Sequence, residues 1–335
     1  MRFGAMGDIL LTTPALAALR KKWPTTKIIY ATKELYVDLI RTHSAINEII
    51  ALKEDESINQ FMQRLKSLQV DYVLDLHDKT RTKILRQIVP KERRIIWLKR
   101  SGFEAFWVRL LLQTHRPKMH ISQRFHQTVE KLAGSTLARE AMTYAVDPIS
   151  RDFISSDLQK NGFDQQKKLV GIAPAAKWAT KSWPRAHFKT LASTLSERDY
   201  QIVLIGSPKD SPICQEIQNE VPKAINYCGA TSFAHHVALI EKCDVFIAND
   251  SGPMHMARAL GIPTLAFFGS TSPAQFDFNP HQVLFQDLKC SPCSLYGRKR
   301  CPYGHLNCLK NISVADALLA FEKLAQTQPG TLVCG

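Results

Sequence analysis

The sequence predicts an α/β protein with two domains. In both halves of the chain, short apolar runs alternate with segments of helical periodicity, which is typical of a parallel sheet with helices on both faces. A chain of 335 residues is long enough for two such domains. The alternation is lost over the polar residues 145–167, so we place the boundary at Asp147-Pro148, giving domains of residues 1–148 and 149–335.

The first half opens on a glycine-bracketed turn. Gly4 to Asp8 precede a helical pattern that runs from Ile9 to Lys22. Such a turn normally follows a buried strand of about five residues. Only Arg2 and Phe3 follow the initial methionine before it, so the first strand looks truncated and we expect the natural start to lie upstream. The remaining periodicities predict strands at 27–33, 47–52, 72–76 and 93–98 and helices at 58–69 and 123–132.

The second half starts the alternation again. Strands are predicted at 169–173, 201–205, 224–227, 244–248 and 263–267, and helices at 185–197, 212–221, 232–242, 253–260 and 314–324. The order predicts a second parallel sheet. The two halves share this architecture without a repeat of residues.

The positive charge of the chain is concentrated in its first half. The formal net charge is +14, and residues 1–150 hold 25 lysines and arginines against 15 aspartates and glutamates. A basic surface suits a nucleic acid, an acidic lipid surface or a phosphorylated acceptor, although an ordinary solvated surface is also basic in some proteins. No apolar run has membrane-spanning length and no signal-peptide core is present, so the sequence predicts a soluble, cytoplasmic protein.

One segment of the first half has two interpretations. Four apolar residues recur at helical spacing beside three basic ones: Phe103, Phe106, Trp107 and Leu110, with Lys99, Arg100 and Arg109. A helix of this kind could lie on an anionic membrane surface. The same spacing is more often a stripe that packs into a protein core, and we favour the core.

The second half centres on the turn that follows the apolar run 243–249. Pro253 suits the first position of a helix, and Gly261 suits a left-handed residue at its end, so the pattern indicates strand, tight turn and helix. Backbone N–H groups at such a helix start attract anions, commonly a diphosphate. The alternative is an ordinary strand-to-helix turn. The candidate anion-binding residues are Ser251, Gly252, Pro253, Met254 and His255.

Two charged residues are further candidates. Lys181 follows the predicted strand 169–173, and a lysine at the carboxyl edge of a parallel strand faces the crevice where ligands bind. Its ammonium could neutralise a phosphate, and a solvated surface lysine is equally compatible with the sequence. Asp8 could take a proton from an attacking hydroxyl as a general base. Taken alone, its position favours a cap of the following helix.

Several motifs are absent from the sequence. There is no Gly-x-Gly-x-x-Gly, no Walker A loop and no Gly-x-Ser-x-Gly elbow, which disfavours dehydrogenases and P-loop proteins. There is also no Asp-x-Asp pair of the kind that holds a divalent metal against a nucleotide-sugar diphosphate. A diphosphate that leaves at this site would therefore have to be neutralised by protein groups.

The chain has eight cysteines, and in a cytoplasmic protein these are reduced thiols or metal ligands more often than disulfides. Four share one segment with His305 beside them: Cys290, Cys293, Cys301 and Cys308. Only the first pair has the two-residue spacing typical of zinc sites. Free thiols or an adventitious disulfide are therefore favoured over a structural metal.

Three separated motifs resemble glycosyltransferase family 9, the heptosyltransferases of lipopolysaccharide inner-core assembly. They are the segment from Arg2 to Leu16, Lys181-Ser182-Trp183-Pro184, and the segment from Asn249 to His255 followed by Ala259-Leu260-Gly261. The resemblance runs in order over nearly the whole chain. The segment from Cys290 to Cys308 is more similar to the heptosyltransferase II branch than to the I branch.

The resemblance implies a GT-B fold, in which two Rossmann-like domains face across a cleft, and a metal-independent inverting transfer that needs no cofactor. It implies ADP-L-glycero-β-D-manno-heptose as donor and a heptosyl-Kdo2-lipid A type acceptor at the cytoplasmic face of the inner membrane. The first domain would bind the acceptor and the second the nucleotide sugar. Asp8 would be the base, Lys181 would hold the diphosphate, Asp250 would bind sugar hydroxyls, and the amides of residues 251–255 would bind the phosphates.

Two other functions remain open on the sequence. The same fold could use another nucleotide sugar for a surface polysaccharide. A basic nucleic-acid-binding protein with a cysteine-bound metal is the remote alternative, since no nucleic-acid-binding motif is present.

Overall fold

The computed structural model of the chain describes residues 1–97, 120–276, 278 and 281–326. These residues form two compact units, residues 1–97 with 120–144 and residues 145–326. The division after Tyr144 lies a few residues before the boundary predicted at Asp147-Pro148. The helical pattern from Phe103 to Leu110 lies outside the described residues.

The first unit contains four short strands and five α-helices among its described residues. The strands are β1 (Ile29–Lys33), β2 (Glu48–Leu52), β3 (Val73–Asp75) and β4 (Arg94–Ile96). The helices are α1 (Met6–Leu10), α2 (Thr13–Lys22), α3 (Ile58–Ser67), α4 (Thr80–Leu85) and α5 (Ile121–Ala133).

The strands of the first unit form two parallel pairs, β1 with β2 and β3 with β4. The segment 1–3 lies between the pairs and bonds to both. Arg2 N donates to Ala31 O at 3.1 Å on the β1 side, and Leu76 N donates to Met1 O at 3.1 Å on the β3 side. These three residues therefore occupy the position of the first strand, and the glycine turn begins where they end.

The helix predicted from Ile9 to Lys22 is wrong as a single element, because α1 ends at Leu10 and α2 begins at Thr13. The hydroxyls of Thr12 and Thr13 donate to the carbonyls of Ile9 and Leu10, at 2.6 and 2.7 Å. Side-chain bonds of this kind compete with helical backbone bonds. The proline that follows has no N–H to bond to the carbonyl four residues before it.

The second unit contains six strands and seven α-helices among its described residues. The strands are β5 (Leu169–Ala173), β6 (Gln201–Leu204), β7 (Ile225–Asn226), β8 (Val245–Asn249), β9 (Thr264–Phe268) and β10 (Gln282–Phe285). The helices are α6 (Pro148–Lys160), α7 (Arg185–Glu197), α8 (Ser211–Glu220), α9 (Phe233–Glu241), α10 (Gly252–Ala259), α11 (Asn307–Lys310) and α12 (Val314–Ala325).

One six-stranded sheet organises the second unit. Its order is β7-β6-β5-β8-β9-β10, and all neighbours are parallel. Every residue of β5, β8 and β9 is buried, as expected for strands covered by helices on both faces. Trp183 lies in this core, where its ring stacks on Phe267 with a centroid distance of 4.1 Å.

The sequence analysis missed α6, which lies in the polar stretch where we placed the domain boundary. Its buried residues are Ser150, Ile154 and Leu158. A stripe of one residue per turn gives a weak periodic signal. The start signal was nevertheless present, since the Asp147 carboxylate accepts bonds from the N–H groups of Ile149 and Ser150.

Candidate functional site

The strand order of the second unit is that of a Rossmann sheet, and it reverses between β5 and β8. Ligands of such sheets bind outside the carboxyl ends of the strands at this reversal point. The loop after β5 carries Lys181, and Asp250 directly follows β8. The fold thus places both predicted residues at the edge where a ligand is expected.

Lys181 and Asp250 form an ion pair, with 2.7 Å between Nζ and Oδ2. The side chains retain only 15% and 4% of their exposure, respectively. Thr271, in the loop after β9, donates its hydroxyl to the same Oδ2 at 2.5 Å. Three loops of the second unit therefore meet at one carboxylate oxygen. The sequence predicted the lysine and the aspartate as separate ligand groups, and Thr271 was missed.

Asn249 fixes the loop that carries the lysine. This residue is fully buried, its Oδ1 accepts the backbone N–H of Trp183 at 2.9 Å, and its Nδ2 donates to the carbonyl of Pro174 at 2.8 Å. The end of β8 is thereby bonded to both ends of the loop after β5. An amide at the end of an apolar run was the sequence signal that could have indicated this role.

A second set of bonds joins the loops after β5 and β9. The hydroxyls of Thr180 and Ser270 are 2.9 Å apart, and Ser270 N donates to Thr180 O at 3.1 Å. Gly269 permits this approach, since a Cβ at its position would lie 2.8 Å from the Thr180 carbonyl oxygen and 2.6 Å from Leu309 Cγ. One side-chain contact and one backbone hydrogen bond thus hold the two loops together.

The helix start predicted at the turn is present. Helix α10 begins at Gly252, which makes Pro253 its second residue, and Gly261 beyond its end has the predicted left-handed φ of 71°. Ser251 caps the helix with extended backbone, and its buried hydroxyl has no hydrogen-bond partner among the described residues. The side chains of Met254 and His255 are buried in the unit. What this end offers a ligand is therefore its first-turn N–H groups.

His255 is uncharged at neutral pH. Its pKa is lowered to about 3, mainly by burial and also by the charges of Arg258 and Lys181, while the charge of Asp250 opposes the shift. The imidazole therefore adds no positive charge to the helix start. The basic groups beside it are Lys181 and the buried Arg258, whose guanidinium carbon lies 4.3 Å from the Phe278 ring centroid.

The first unit holds Asp8 as the third residue of α1. Its Oδ2 is paired with Arg2 Nη2 and accepts a long bond of 3.4 Å from the N–H of Ala5, the residue before the helix. The capping role expected from its position is thus partly present. The side chain is 27% exposed, so its carboxylate is accessible to a ligand as well.

Arg2 is the residue of this region that the sequence analysis missed. Its side chain is nearly buried, and its Nε and Nη1 donate to the carbonyls of Gly4 and Leu76 at 2.7 and 2.6 Å. The guanidinium carbon lies 5.5 and 5.4 Å from the ring centroids of Trp97 and Phe125. An arginine at the second position of the chain gave no sign of these distant partners.

The cysteine segment contains free thiols. Cys290, Cys293, Cys301 and Cys308 form no disulfide, and Cys290 Sγ lies 3.8 Å from His305 Nε2. Burial raises the pKa of Cys308 to about 12 and also raises that of Cys293. Within the described ranges, no group of three or more histidine, cysteine or acidic side chains is arranged to hold a metal ion.

None of the described helices is both long and apolar enough to cross a bilayer.

The chain is similar in sequence and in structure to known proteins over nearly its whole length. The lipooligosaccharide heptosyltransferase 2 of Campylobacter jejuni is 26% identical over 329 residues, which is 96% of each chain. A glycosyltransferase family 9 structure from Veillonella parvula superposes with a TM-score of 0.81, at 21% identity over 97% of this chain and 95% of the other. An ADP-heptose lipopolysaccharide heptosyltransferase II from E. coli superposes with a TM-score of 0.71, at 19% identity over 96% of each chain.

These likenesses agree with the α/β architecture and parallel sheets described above and assign the fold to the GT-B class of glycosyltransferases. The sequence model that describes glycosyltransferase family 9 (heptosyltransferase) matches residues 58–304 of this chain. That range includes Lys181, Asp250 and helix α10. The chain is therefore a glycosyltransferase that belongs to family 9, the heptosyltransferase family.

Proposed function

We propose that this glycosyltransferase moves L-glycero-D-manno-heptose from ADP-heptose to a hydroxyl of the lipopolysaccharide inner core, on an acceptor of the heptosyl-Kdo2-lipid A type. The observation that carries the proposal is the meeting of Lys181, Asp250 and the α10 start at the reversal point of the second unit's sheet. The names of the relatives support the donor and the pathway, since one is an ADP-heptose transferase and another a lipooligosaccharide heptosyltransferase.

The proposed reaction is a single displacement with inversion. The acceptor hydroxyl attacks the anomeric carbon on the face opposite ADP, a new carbon–oxygen bond forms, and the bond to the diphosphate breaks with its electron pair leaving on ADP. Asp8 receives the hydroxyl proton as general base. The reaction requires the two units to bring Asp8 and the donor within reach of the same acceptor hydroxyl.

Charge on the leaving diphosphate is balanced by protein groups in this mechanism. The Lys181 ammonium donates one N–H to Asp250 and has two more to offer to phosphate oxygens. The first-turn N–H groups of α10 add the positive end of a helix. Such donors, placed where negative charge develops, typically contribute about 10²–10³ in rate each. Asp250 keeps Oδ1 for a hydroxyl of the donor sugar.

The acceptor is anionic and anchored in lipid. The excess of basic residues in positions 1–150 suits such a molecule. We therefore propose that the enzyme works in the cytoplasm and contacts the anionic cytoplasmic face of the inner membrane peripherally. The partners are the nucleotide sugar, the phosphorylated core acceptor and this membrane surface.

The decisive experiment is mass spectrometry of the product formed from ADP-heptose and defined core acceptors. We expect the mass of one added heptose. Asp8→Ala should abolish transfer while ADP still raises the melting temperature, and Asp71→Ala, which changes an exposed aspartate of the same unit, should transfer normally. Turnover should continue in EDTA, because the proposed charge balance uses no metal. Transfer by Asp8→Ala at the wild-type rate would refute the mechanism.

The donor is tested separately with a panel of nucleotide sugars in a thermal-shift assay. We expect ADP and ADP-heptose to stabilise the protein most. Greater stabilisation by UDP ligands would instead favour the same fold acting on another nucleotide sugar for a surface polysaccharide.

A further inference from the structure

We infer that Arg2 is the positioning residue of the proposed base, holding Asp8 so that one carboxylate oxygen is fixed and the other faces the acceptor hydroxyl. This inference rests on the role proposed for Asp8. It is carried by the contacts of the Arg2 guanidinium, which join the carboxylate, the turn that bears it and the neighbouring strand end.

The turn from Gly4 to Gly7 has no side-chain hydrogen-bond donor of its own. Gly4, Ala5, Met6 and Gly7 have no side-chain N–H or O–H with which to hold its shape. Gly4 adopts a φ of 137° and lies against the Tyr36 ring, which a Cβ at Gly4 would approach to 3.2 Å. The conformation that presents Asp8 therefore has only backbone groups of the turn and side chains from outside it to hold its shape.

Arg2 supplies those bonds from a fixed position. Each of its three nitrogens has a different acceptor, Gly4 O for Nε, Leu76 O for Nη1 and Asp8 Oδ2 for Nη2. Arg2 is only 5% exposed, and its guanidinium lies near two aromatic rings. A planar fork can satisfy three acceptors in this way, whereas a lysine ammonium is a single point charge on a flexible stem.

In this geometry the two carboxylate oxygens of Asp8 have different roles. Among the described residues, every hydrogen bond to its side chain goes to Oδ2. Oδ1 is left for a ligand on a side chain that keeps 27% of its exposure. A base held at this precision contributes to rate through orientation, and a displacement of about 1 Å can cost about 10²-fold.

The test compares Arg2→Met and Arg2→Lys with a matched control. Arg20 also stabilises its unit, through five side-chain hydrogen bonds that include those to the carbonyls of Pro24, Thr26 and Ala45, so Arg20→Met removes at least as many structural bonds. We expect Arg2→Met to lower kcat by about 10–10²-fold, with the KM for ADP-heptose changed by less than about twofold because the donor residues lie in the second unit. Arg2→Lys should recover part of kcat, and Arg20→Met should retain it per folded molecule.

A double variant distinguishes positioning from general stability. If Arg2 acts through Asp8, then Arg2→Met should not slow an Asp8→Asn enzyme any further, because the two losses are not additive. A further loss in the double variant, or a kcat for Arg2→Met within about twofold of that for Arg20→Met, would overturn the inference. Should Arg2→Met fail to fold, the same comparison is made with Arg2→Lys. If Asp8→Asn itself has wild-type kcat, the proposed mechanism fails instead.

Discussion

At the scale of single residues, the second unit concentrates its polar chemistry on one carboxylate. Asp250 is almost completely buried, and its Oδ2 accepts both the Lys181 ammonium and the Thr271 hydroxyl. A buried ion pair of this kind contributes little net stability, yet removal of one partner is costly because it leaves the other charge buried alone. This asymmetry makes the pair testable without any substrate.

We predict that Lys181→Met lowers the free energy of unfolding by about 3–5 kcal/mol, since it strands the Asp250 charge. Lys181→Met with Asp250→Asn should be more stable than the single variant, because no buried charge remains. Both variants should lose transfer activity by about 10²-fold or more. Urea unfolding and product assays measure the two effects.

Lys177→Met serves as the comparison for this pair, since Lys177 is an exposed lysine in the same loop. Its stability should match that of the wild type. A double variant as unstable as Lys181→Met alone would show that the ion pair is not the source of the loss.

The sequence indicated Asp8, Lys181 and Asp250 but not Arg2, Thr271 or Asn249. The first three are charged residues, and the family resemblance implies a role in transfer for each of them. The missed ones act through bonds to partners distant in sequence, such as Arg2 with Leu76 and Asn249 with Trp183. Local periodicity contains no information on such pairs.

At the scale of elements, the site depends on the bond between the end of β8 and the loop after β5. We predict that Asn249→Ala weakens ADP binding about tenfold or more and lowers the free energy of unfolding by about 1–3 kcal/mol, because the N–H of Trp183 and the carbonyl of Pro174 lose their buried partner. Isothermal titration with ADP and urea unfolding measure these changes.

Asn161→Ala is the control for this variant, because that asparagine is exposed at the end of α6 and bonds there to Asp157. It should bind ADP like the wild type. Normal ADP binding by Asn249→Ala would mean that the Lys181 loop holds its position without the amide.

The sheet elements of the second unit were predicted well because their residues are apolar without interruption. Strand β5 and helix α7 have the predicted bounds, and β8 and β9 are shifted by one residue. The elements that were missed have few inward residues, such as α6, or are short, such as α11, or lie at the sheet edge, such as β10, whose residues are all only half-buried. Hydrophobic periodicity in a sequence predicts a helix or strand only where many of its residues are buried.

At the scale of the whole molecule, buried histidines make the second unit sensitive to acid. Burial lowers the pKa values of His255 and His281 to about 3, from 6.5 in the unfolded chain. Below pH 6.5 the unfolded state therefore binds protons that the folded state does not. Stability should fall as the pH drops from 6.5 toward 3, by about 1.4 kcal/mol per pH unit for each histidine.

Urea unfolding of the second unit at pH 7.5, 6.5, 5.5 and 4.5 tests this prediction. Below pH 6.5, His281→Gln should reduce the slope of the free energy of unfolding against pH by the contribution of one histidine, about 1.4 kcal/mol per pH unit. An equal slope in the wild type and His281→Gln would contradict the assignment.

The overall architecture and the family were within reach of the sequence, because both rest on ordered motifs and on alternation along the entire chain. The family match confirms the glycosyltransferase assignment and disfavours the nucleic-acid interpretation. The roles of Asp8, Lys181 and Asp250 in transfer stay predictions, which the variants above address.

The pairing of β5 with β8 has a consequence for the synthesis of the protein. At the edge of this pair the backbone N–H of Asp244 donates to the carbonyl of Leu169 at 2.8 Å, and the two residues are 75 positions apart. Contacts so distant along the chain carry a large loop-closure cost and form slowly. The central strand pair, and the ligand groups at its end, therefore assemble only after the ribosome has released both strands, so nascent chains ending before residue 244 should bind no nucleotide.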